Sequence, residues 1–223
     1  MTETFIPAAV PGNEEERLAE LRHYNILDTR PETSFDLVAR IAMYIFRTPI
    51  ALVSLVDEAR QWFKSKQGVD ATETPRRAAF CAHAILNDDV FVVPDALNDA
   101  RFAGNPLVVG PPHVRFYAGA PLKTPNGLNI GTLCVIDTKP RDMSAEEQTI
   151  LLGLAKLVVD ELELRLKIAQ LGDETYQRQN AEQSAREAFS RLERAQYNFI
   201  SEHVARELSS MSVTSPLRPC TLP

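Results

Sequence analysis

The segment AAFCAHAILNDDVFVVPDALNDARFAGNP, residues 78–106, gathers a thiol, an imidazole, carboxylates and a guanidinium into one short stretch. Cys81 and His83 stand two apart, and Asp95, Asp99 and Arg101 follow. Residues of these types serve metal sites, nucleophiles with their bases, and chromophore anchors. A metal needs further His, Cys or carboxylate ligands, and none follows at a standard spacing. The pattern around Cys81 is helical, and positions i and i+2 of a helix point about 200° apart, so thiol and imidazole do not converge on one ion or one reacting atom. Cys81 therefore reads as a small buried hydrophobe, and His83 as a polar residue bonded to backbone or to an acid. In NDARF, Asn98 or Asp99 suits the cap of a short helix, Phe102 a core position, and Arg101 a partner for a carboxylate. The competing reading is a pocket for a small polar ligand, with Cys81, His83, Asp95, Arg101, Arg115, Tyr117 and Cys134 as candidate walls. No catalytic residue and no metal ligand is assigned.

The elements that must position these residues follow from periodicity. Residues 1–12, with Pro7, Pro11 and Gly12, read as a flexible lead-in. NEEERLAELRHYNILDT has Leu18, Leu21 and Ile26 near helical spacing, with acids in the first turn where the helix dipole favours them. A second amphipathic helix carries Phe35, Val38, Ile41 and Ile45, with Pro31 and Ser34 as start signals. PIALVSLVD then reads as a strand and RQWFKSK as its hairpin partner, while PRRAAFCAHAIL returns to a helical pattern. VFVVPD is a short strand, and VRFYAGAPL and NIGTLCVID are strong ones joined by a turn at Asn126-Gly127. In the first of that pair, Phe116, Ala118 and Ala120 alternate with Arg115, Tyr117 and Gly119, so one face is placed to line a cavity. Together these predict an α+β domain built on a mainly antiparallel sheet.

Ser144 and Glu147 form a capping box, and few helix breakers follow before Pro216. Steps of three and four from Ile150 pass through Leu154, Leu157, Leu164, Ile168 and Leu171, then through a polar middle to Phe189, Leu192, Phe199 and His203. This predicts a long helix, coiled-coil-like at its ends and interrupted around Gly172-Asp173. Its stripe, with Leu157, Leu164, Ile168, Leu171, Phe189, Leu192 and Phe199, is best covered by a second copy. The domain reading is therefore 13–168 for the sensor-like fold, 169–210 for a signalling and dimerisation helix, and 211–223 for a disordered tail.

Composition narrows the function classes. The 223 residues are 44% hydrophobic and 24% charged, with a formal net charge of -6. An acidic chain without a basic run gains nothing from nucleic acid or an anionic membrane surface. Three well-separated cysteines and no CxxC pair suit neither a disulfide framework nor zinc, and point to a reducing cytosol. The N-terminus lacks a basic start and apolar core, and the apolar runs fall short of the roughly 20 residues a membrane span needs.

The order NILDTRPETSFD, PIALVSLVD, QWFKSKQG, FCAHAI, VPDALNDARFAGNP, RFYAGAPL and IGTLCVID resembles the GAF domain family, over roughly residues 20–168. It is similar in particular to the type at the front of bacterial sensor histidine kinases and diguanylate cyclases. The resemblance implies a central antiparallel sheet, helices on one face, a pocket on the other, and flanking helices that pair and carry a signal. It leaves the ligand open. Bilin-binding members resembling phytochromes carry Cys and His adjacent, whereas Ala82 separates them here. Haem needs an axial ligand, for which His83 and His113 are the candidates, and the cyclic-nucleotide pattern of phosphodiesterase-type members is missing. The methionine sulfoxide reductases of this fold work through cysteines, but ALNDARFAGNP replaces their acidic, serine-rich segment and Cys134 reads as buried strand. Near the C-terminus, NFISEHVAREL resembles the phosphoacceptor segment of histidine kinases, with Arg206 where the histidine belongs and His203 three residues early. The chain is expected to be a cytoplasmic, non-enzymatic sensory module of bacterial signal transduction, such as a two-component system. It would be a homodimer that takes a small molecule or a signalling-protein partner. A ligand-free scaffold and the input module of a truncated kinase are the alternatives.

Overall fold

The computed structural model describes residues 5–211; of the tail assigned to 211–223, Met211 ends the last helix and 212–223 lie outside the described residues. The chain divides into two units at Lys167 and Ile168. The first holds one six-stranded sheet in the order β3-β2-β1-β6-β5-β4. Its strands are β1 (Ile50–Val56), β2 (Arg60–Gln67), β3 (Glu73–Pro75), β4 (Phe91–Val93), β5 (Phe116–Lys123) and β6 (Asn129–Asp137), and each neighbouring pair is antiparallel. The helices are α1 (Glu14–His23), α2 (Thr33–Phe46), α3 (Phe80–Ala84), α4 (Pro106–Val109) and α5 (Ala145–Met211). The α+β expectation thus holds, and β3 is an edge strand that its three residues were too short to announce.

Both faces of the sheet are covered. Because side chains alternate along a strand, Ala51, Val53 and Leu55 of β1, Phe116, Ala118 and Ala120 of β5, and Leu133 and Val135 of β6 join a back core with α1, α2 and the start of α5. Ile50, Leu52, Val56, Phe63, Tyr117, Cys134 and Ile136 join a front core with α3 and the chain around α4. On α2 the buried face is Phe35, Ala39, Ala42 and Phe46, a stripe rotated from the one expected; Ile41 and Ile45 are exposed. Small residues at 39 and 42 let the helix approach the sheet, and this close approach decides which face turns inward.

A bulge in β2 shifts register beside Val53 and Ser54, so Lys64 and Ser65 both turn to the back face. The Lys64 side chain is fully buried, and its ammonium donates to Thr29, to the Arg30 carbonyl and to Glu32 at 2.6 Å. Arg165 of α5 donates to the same Glu32 and to the Tyr24 carbonyl, tying α5 to the α1–α2 junction. The capping box is present: Ser144 N–H donates to Glu147, and Glu147 N–H to the Ser144 hydroxyl. Within the first unit α5 buries Leu151, Leu154, Ala155, Val158 and Leu162, leaving Ile150, Leu157 and Leu164 exposed. Residues 168–211 are helical throughout, so the expected interruption is absent. One helical glycine costs only about 1 kcal/mol against alanine, and Gly172 is flanked by good helix formers. Among the described residues no helix is long and apolar enough to cross a membrane.

Arg17 is buried, and its guanidinium donates to Glu14 and, at 2.6 Å, to the Val56 carbonyl, while Arg76 reaches the same Glu14. Burial alone would raise the Glu14 carboxyl, but Arg17 and Arg76 outweigh it and bring it from 4.5 to about 2. A carboxyl depressed on folding contributes stability that is complete above its unfolded value and lost as pH falls toward its folded one. Glu14→Gln should therefore flatten the fall in urea midpoint between pH 4.5 and about 2, and cost about 2 kcal/mol at pH 7 by leaving Arg17 without its counter-charge. A variant with the parent's slope across that window contradicts the assignment.

Candidate functional site

The front face of the sheet encloses a cavity of about 320 Å³. Its floor is Ile50 and Leu52 of β1, Gln61 and Phe63 of β2, Tyr117 of β5 and Ile136 of β6, and Phe80 and Cys81 of α3 form one wall. The β2–β3 connection (Gly68–Ala71) and the segment from Leu107 to Val114 close the sides. Gly68 has φ +80°, and a Cβ there would stand 2.0 Å from the Pro49 carbonyl oxygen, so glycine is required where this wall turns past β1. Asn105 holds the α4 segment in place: its amide oxygen accepts from Leu107 N–H at 2.9 Å, and its amide nitrogen donates to the Ala78 carbonyl at 3.0 Å.

The floor depends on a missing side chain. Gly119 and Cys134 are cross-strand partners, and Tyr117 shares their face. A Cβ at Gly119 would lie 2.1 Å from the Tyr117 hydroxyl, so the Tyr117 ring lies back across the glycine. From there it packs on Phe80 at 5.2 Å between centroids and donates to the Cys81 sulfur at 3.2 Å. Cys81 in turn donates to Cys134, the two sulfurs 3.9 Å apart. Below them Ser54 and Thr132, also cross-strand partners, bury hydroxyls that complete no hydrogen bond among the described residues. Burial works to raise the Cys81 thiol, but the polar groups set around its sulfur, on Cys134, Thr132, Tyr117 and Ser54, would favour a thiolate and hold it below its usual range. The hydrogen bond to Cys81, with burial, pushes Cys134 well up, and burial pushes the Tyr117 hydroxyl well up.

Two residues that line the cavity carry a further buried polar atom unpaired among the described residues: the Gln61 side-chain oxygen and the Thr74 hydroxyl. Each buried group left so costs about 1–3 kcal/mol. Neither residue was singled out from sequence. Gln61 lies in a strand whose apolar-polar pattern is broken by the Lys64 bulge, and Thr74 in the strand too short to read.

Of the seven residues proposed as pocket walls, Cys81 and Tyr117 line the cavity, and Cys134 stands behind Cys81. The others are placed elsewhere by their own interactions. Asp95 and Arg115 form a two-pronged pair at 2.7 and 2.8 Å at the β4–β5 edge, which draws Arg115 off the floor and lowers the Asp95 carboxyl. Arg101 pairs with Asp99 and covers the rings of Phe91 and Phe102. His83 is half-buried in that aromatic group, 4.8 Å from Phe102, where burial and then Arg101 lower its basicity. The segment NDARF forms turns and caps no helix; the capping residue is Asn105. Phe102 packs on Phe80 and Phe116 faces the back core, so neither fills the cavity.

The GAF domain family model matches residues 30–162. A protein of Pseudomonas aeruginosa named cyclic di-GMP phosphodiesterase is 47% identical over 150 residues, covering 67% of this chain and 26% of that protein. The chain thus spans about a quarter of the length of this curated relative. Among solved structures, the GAF domain of an Acinetobacter phosphoenolpyruvate-protein phosphotransferase aligns with a TM-score of 0.51 at 16% identity, over 68% of this chain and 93% of its own. A domain assigned to a two-component sensor histidine kinase of Sinorhizobium meliloti 1021 aligns at 0.50 and 16%, over 62% and 96%. At such identity these two speak for the fold alone. The phosphodiesterase match overturns the expectation that the chain is not an enzyme, because it ties 150 residues to a protein named for an activity. Reading side-chain constellations does not register an activity that need not reside in the matched part.

Gly119→Ala should push the Tyr117 ring off Cys81, at a cost of about 1–3 kcal/mol for overpacking. Tyr117→Phe, which keeps the ring and loses only the hydroxyl, should cost about 1 kcal/mol. Urea unfolding of both variants checks the order, and a G119A protein as stable as the parent refutes the dependence of the floor on that glycine.

Proposed function

This chain belongs to the GAF domain family, and on that premise we propose that it is the sensory part of a cyclic di-GMP phosphodiesterase system. The observation that carries the reading is the front cavity, apolar over most of its wall but lined also by Gln61 and Thr74, whose side-chain oxygen and hydroxyl are buried and unpaired among the described residues. A small, mainly apolar molecule bearing an N–H or O–H donor would satisfy both features. Cyclic di-GMP itself belongs on the output side: among the described residues, no lysine or arginine lines the cavity to meet its phosphates. Its hydrolysis is taken from the name of the relative at 47% identity.

The route from cavity to output is residues 168–211. Ile168, Leu171, Phe189, Leu192 and Phe199 are all exposed there, and in the first unit so are Leu157 and Leu164. Apolar positions repeating at three and four suit knobs-into-holes pairing with a second copy. Ligand binding then favours one arrangement of that pair, by no more than its differential affinity for the two.

The test begins with native mass spectrometry of the chain purified from its own host. A neutral small molecule should be retained, and Gln61→Leu should weaken rebinding about tenfold, the loss of roughly 1.4 kcal/mol. In sedimentation at tens of micromolar, roughly the range where weak dimers persist, the parent should run as a dimer and a chain ending at Leu171 as a monomer. A cavity that retains and rebinds nothing defeats the sensory reading, and a monomeric parent defeats the relay.

A further inference from the structure

We propose that Cys81 and Cys134 form a redox dithiol at the floor of the front cavity, oxidised to a disulfide by an organic hydroperoxide with an apolar body. The inference uses the thiol pair and the cavity, and stands whether or not the chain governs cyclic di-GMP.

Four observations converge on it. The two sulfurs are in contact at 3.9 Å although 53 residues separate them in sequence. Both residues are buried among the sheet and α3, and Cys81 is one of the residues that wall the cavity, which sets a molecule held there beside the thiol pair. The Tyr117 hydroxyl already donates to that sulfur at 3.2 Å. The Ser54 and Thr132 hydroxyls complete no hydrogen bond among the described residues, leaving them free to donate to a thiolate. A cysteine serving only as a small hydrophobe needs none of these donors, and in an apolar site they cost stability.

The chemistry balances with the peroxide alone. The Cys81 thiolate attacks the outer oxygen of R–O–O–H, and the O–O bond breaks. Cys81 becomes a sulfenic acid, and the alkoxide leaves as the alcohol with the proton Cys81 had given up. The Cys134 sulfur then attacks the sulfenic sulfur, the S–S bond forms, and the hydroxyl departs as water with the Cys134 proton. Two thiols are oxidised by two electrons, and one hydroperoxide is reduced to alcohol and water. A small thiol restores the pair by two exchange steps. Closing the bond brings the sulfurs from 3.9 Å to about 2.05 Å, drawing α3 toward β6 and reshaping the wall of the cavity.

The test uses the reduced full chain, with Cys220 replaced by serine in a parallel sample, treated with cumene hydroperoxide or hydrogen peroxide. Non-reducing peptide mapping should find Cys81 linked to Cys134, with an intact mass lower by two hydrogens, in both samples. Cumene hydroperoxide should act at least tenfold faster, because the wall that admits it is apolar. In Cys134→Ser, dimedone should label Cys81, the sulfenic acid having lost its resolving partner. The proposal is overturned if the unmodified chain keeps both thiols free under excess peroxide, if the linkage forms only in urea, or if the two peroxides react at equal rates.

Discussion

The pairing of β1 with β6 fixes which side chains reach the cavity, because a sheet covered on both faces has no neutral register. Leu52 faces Cys134 and Ser54 faces Thr132 across the two strands, while Ala51 and Val53 meet Val135 and Leu133 on the other side. A slip of one residue would exchange the two sets and bring hydroxyls and thiols into the back core. Gly131 secures the alignment by contact: a Cβ there would fall 2.1 Å from the Ser54 carbonyl oxygen, so the strands approach where only glycine fits. Everything on the front face is then placed from these two strands outward.

The two covers of the sheet differ in kind, and the cavity follows from that difference. The back is closed by α2 and the start of α5, helices long enough to lay continuous apolar stripes on the sheet and locked by Lys64, Glu32 and Arg165. The front is closed by α3 and α4, five and four residues long, and by the loops around them. Elements of one turn cannot present a ridge that fills the grooves of a pleated surface. Single side chains such as Phe80, Phe102 and Val108 do the covering, and space is left where they do not meet. Tyr117 could have filled it, but its ring is folded back over Gly119.

What was legible in the sequence was whatever depends on neighbours in the chain. The strands with strict alternation, the turn at Asn126-Gly127 and the box formed by Ser144 and Glu147 all appear in place, since each rests on contacts a few residues apart. The order of motifs carried the family because it spans the whole sheet. The pocket was harder. Arg101 pairs with a carboxylate as its spacing suggested, whereas Arg115, a candidate pocket wall, is taken by Asp95 across the sheet edge. Gln61 was hidden by a bulge that breaks the period of two, and the contact of Cys81 with Cys134 needed the sheet itself to bring the two together.

The distribution of unsatisfied groups separates the face that folds from the face that works. Among the described residues, the buried side-chain atoms without partners are Ser54 Oγ, Gln61 Oε1, Thr74 Oγ1, Thr132 Oγ1 and Asn129 Oδ1. The first four belong to the front face or the wall of its cavity, and Asn129 is bound to the chain that follows α3. The back core holds its polar groups in pairs, down to a fully buried lysine with three acceptors. At about 1–3 kcal/mol each, the front-face atoms together represent a cost comparable to the net stability of a domain. A fold selected for stability alone would place valine at 54 and 132 and leucine at 61. The back core therefore supplies the surplus that lets the front face keep donors and acceptors waiting, and it is there that binding or chemistry can return what folding gives up.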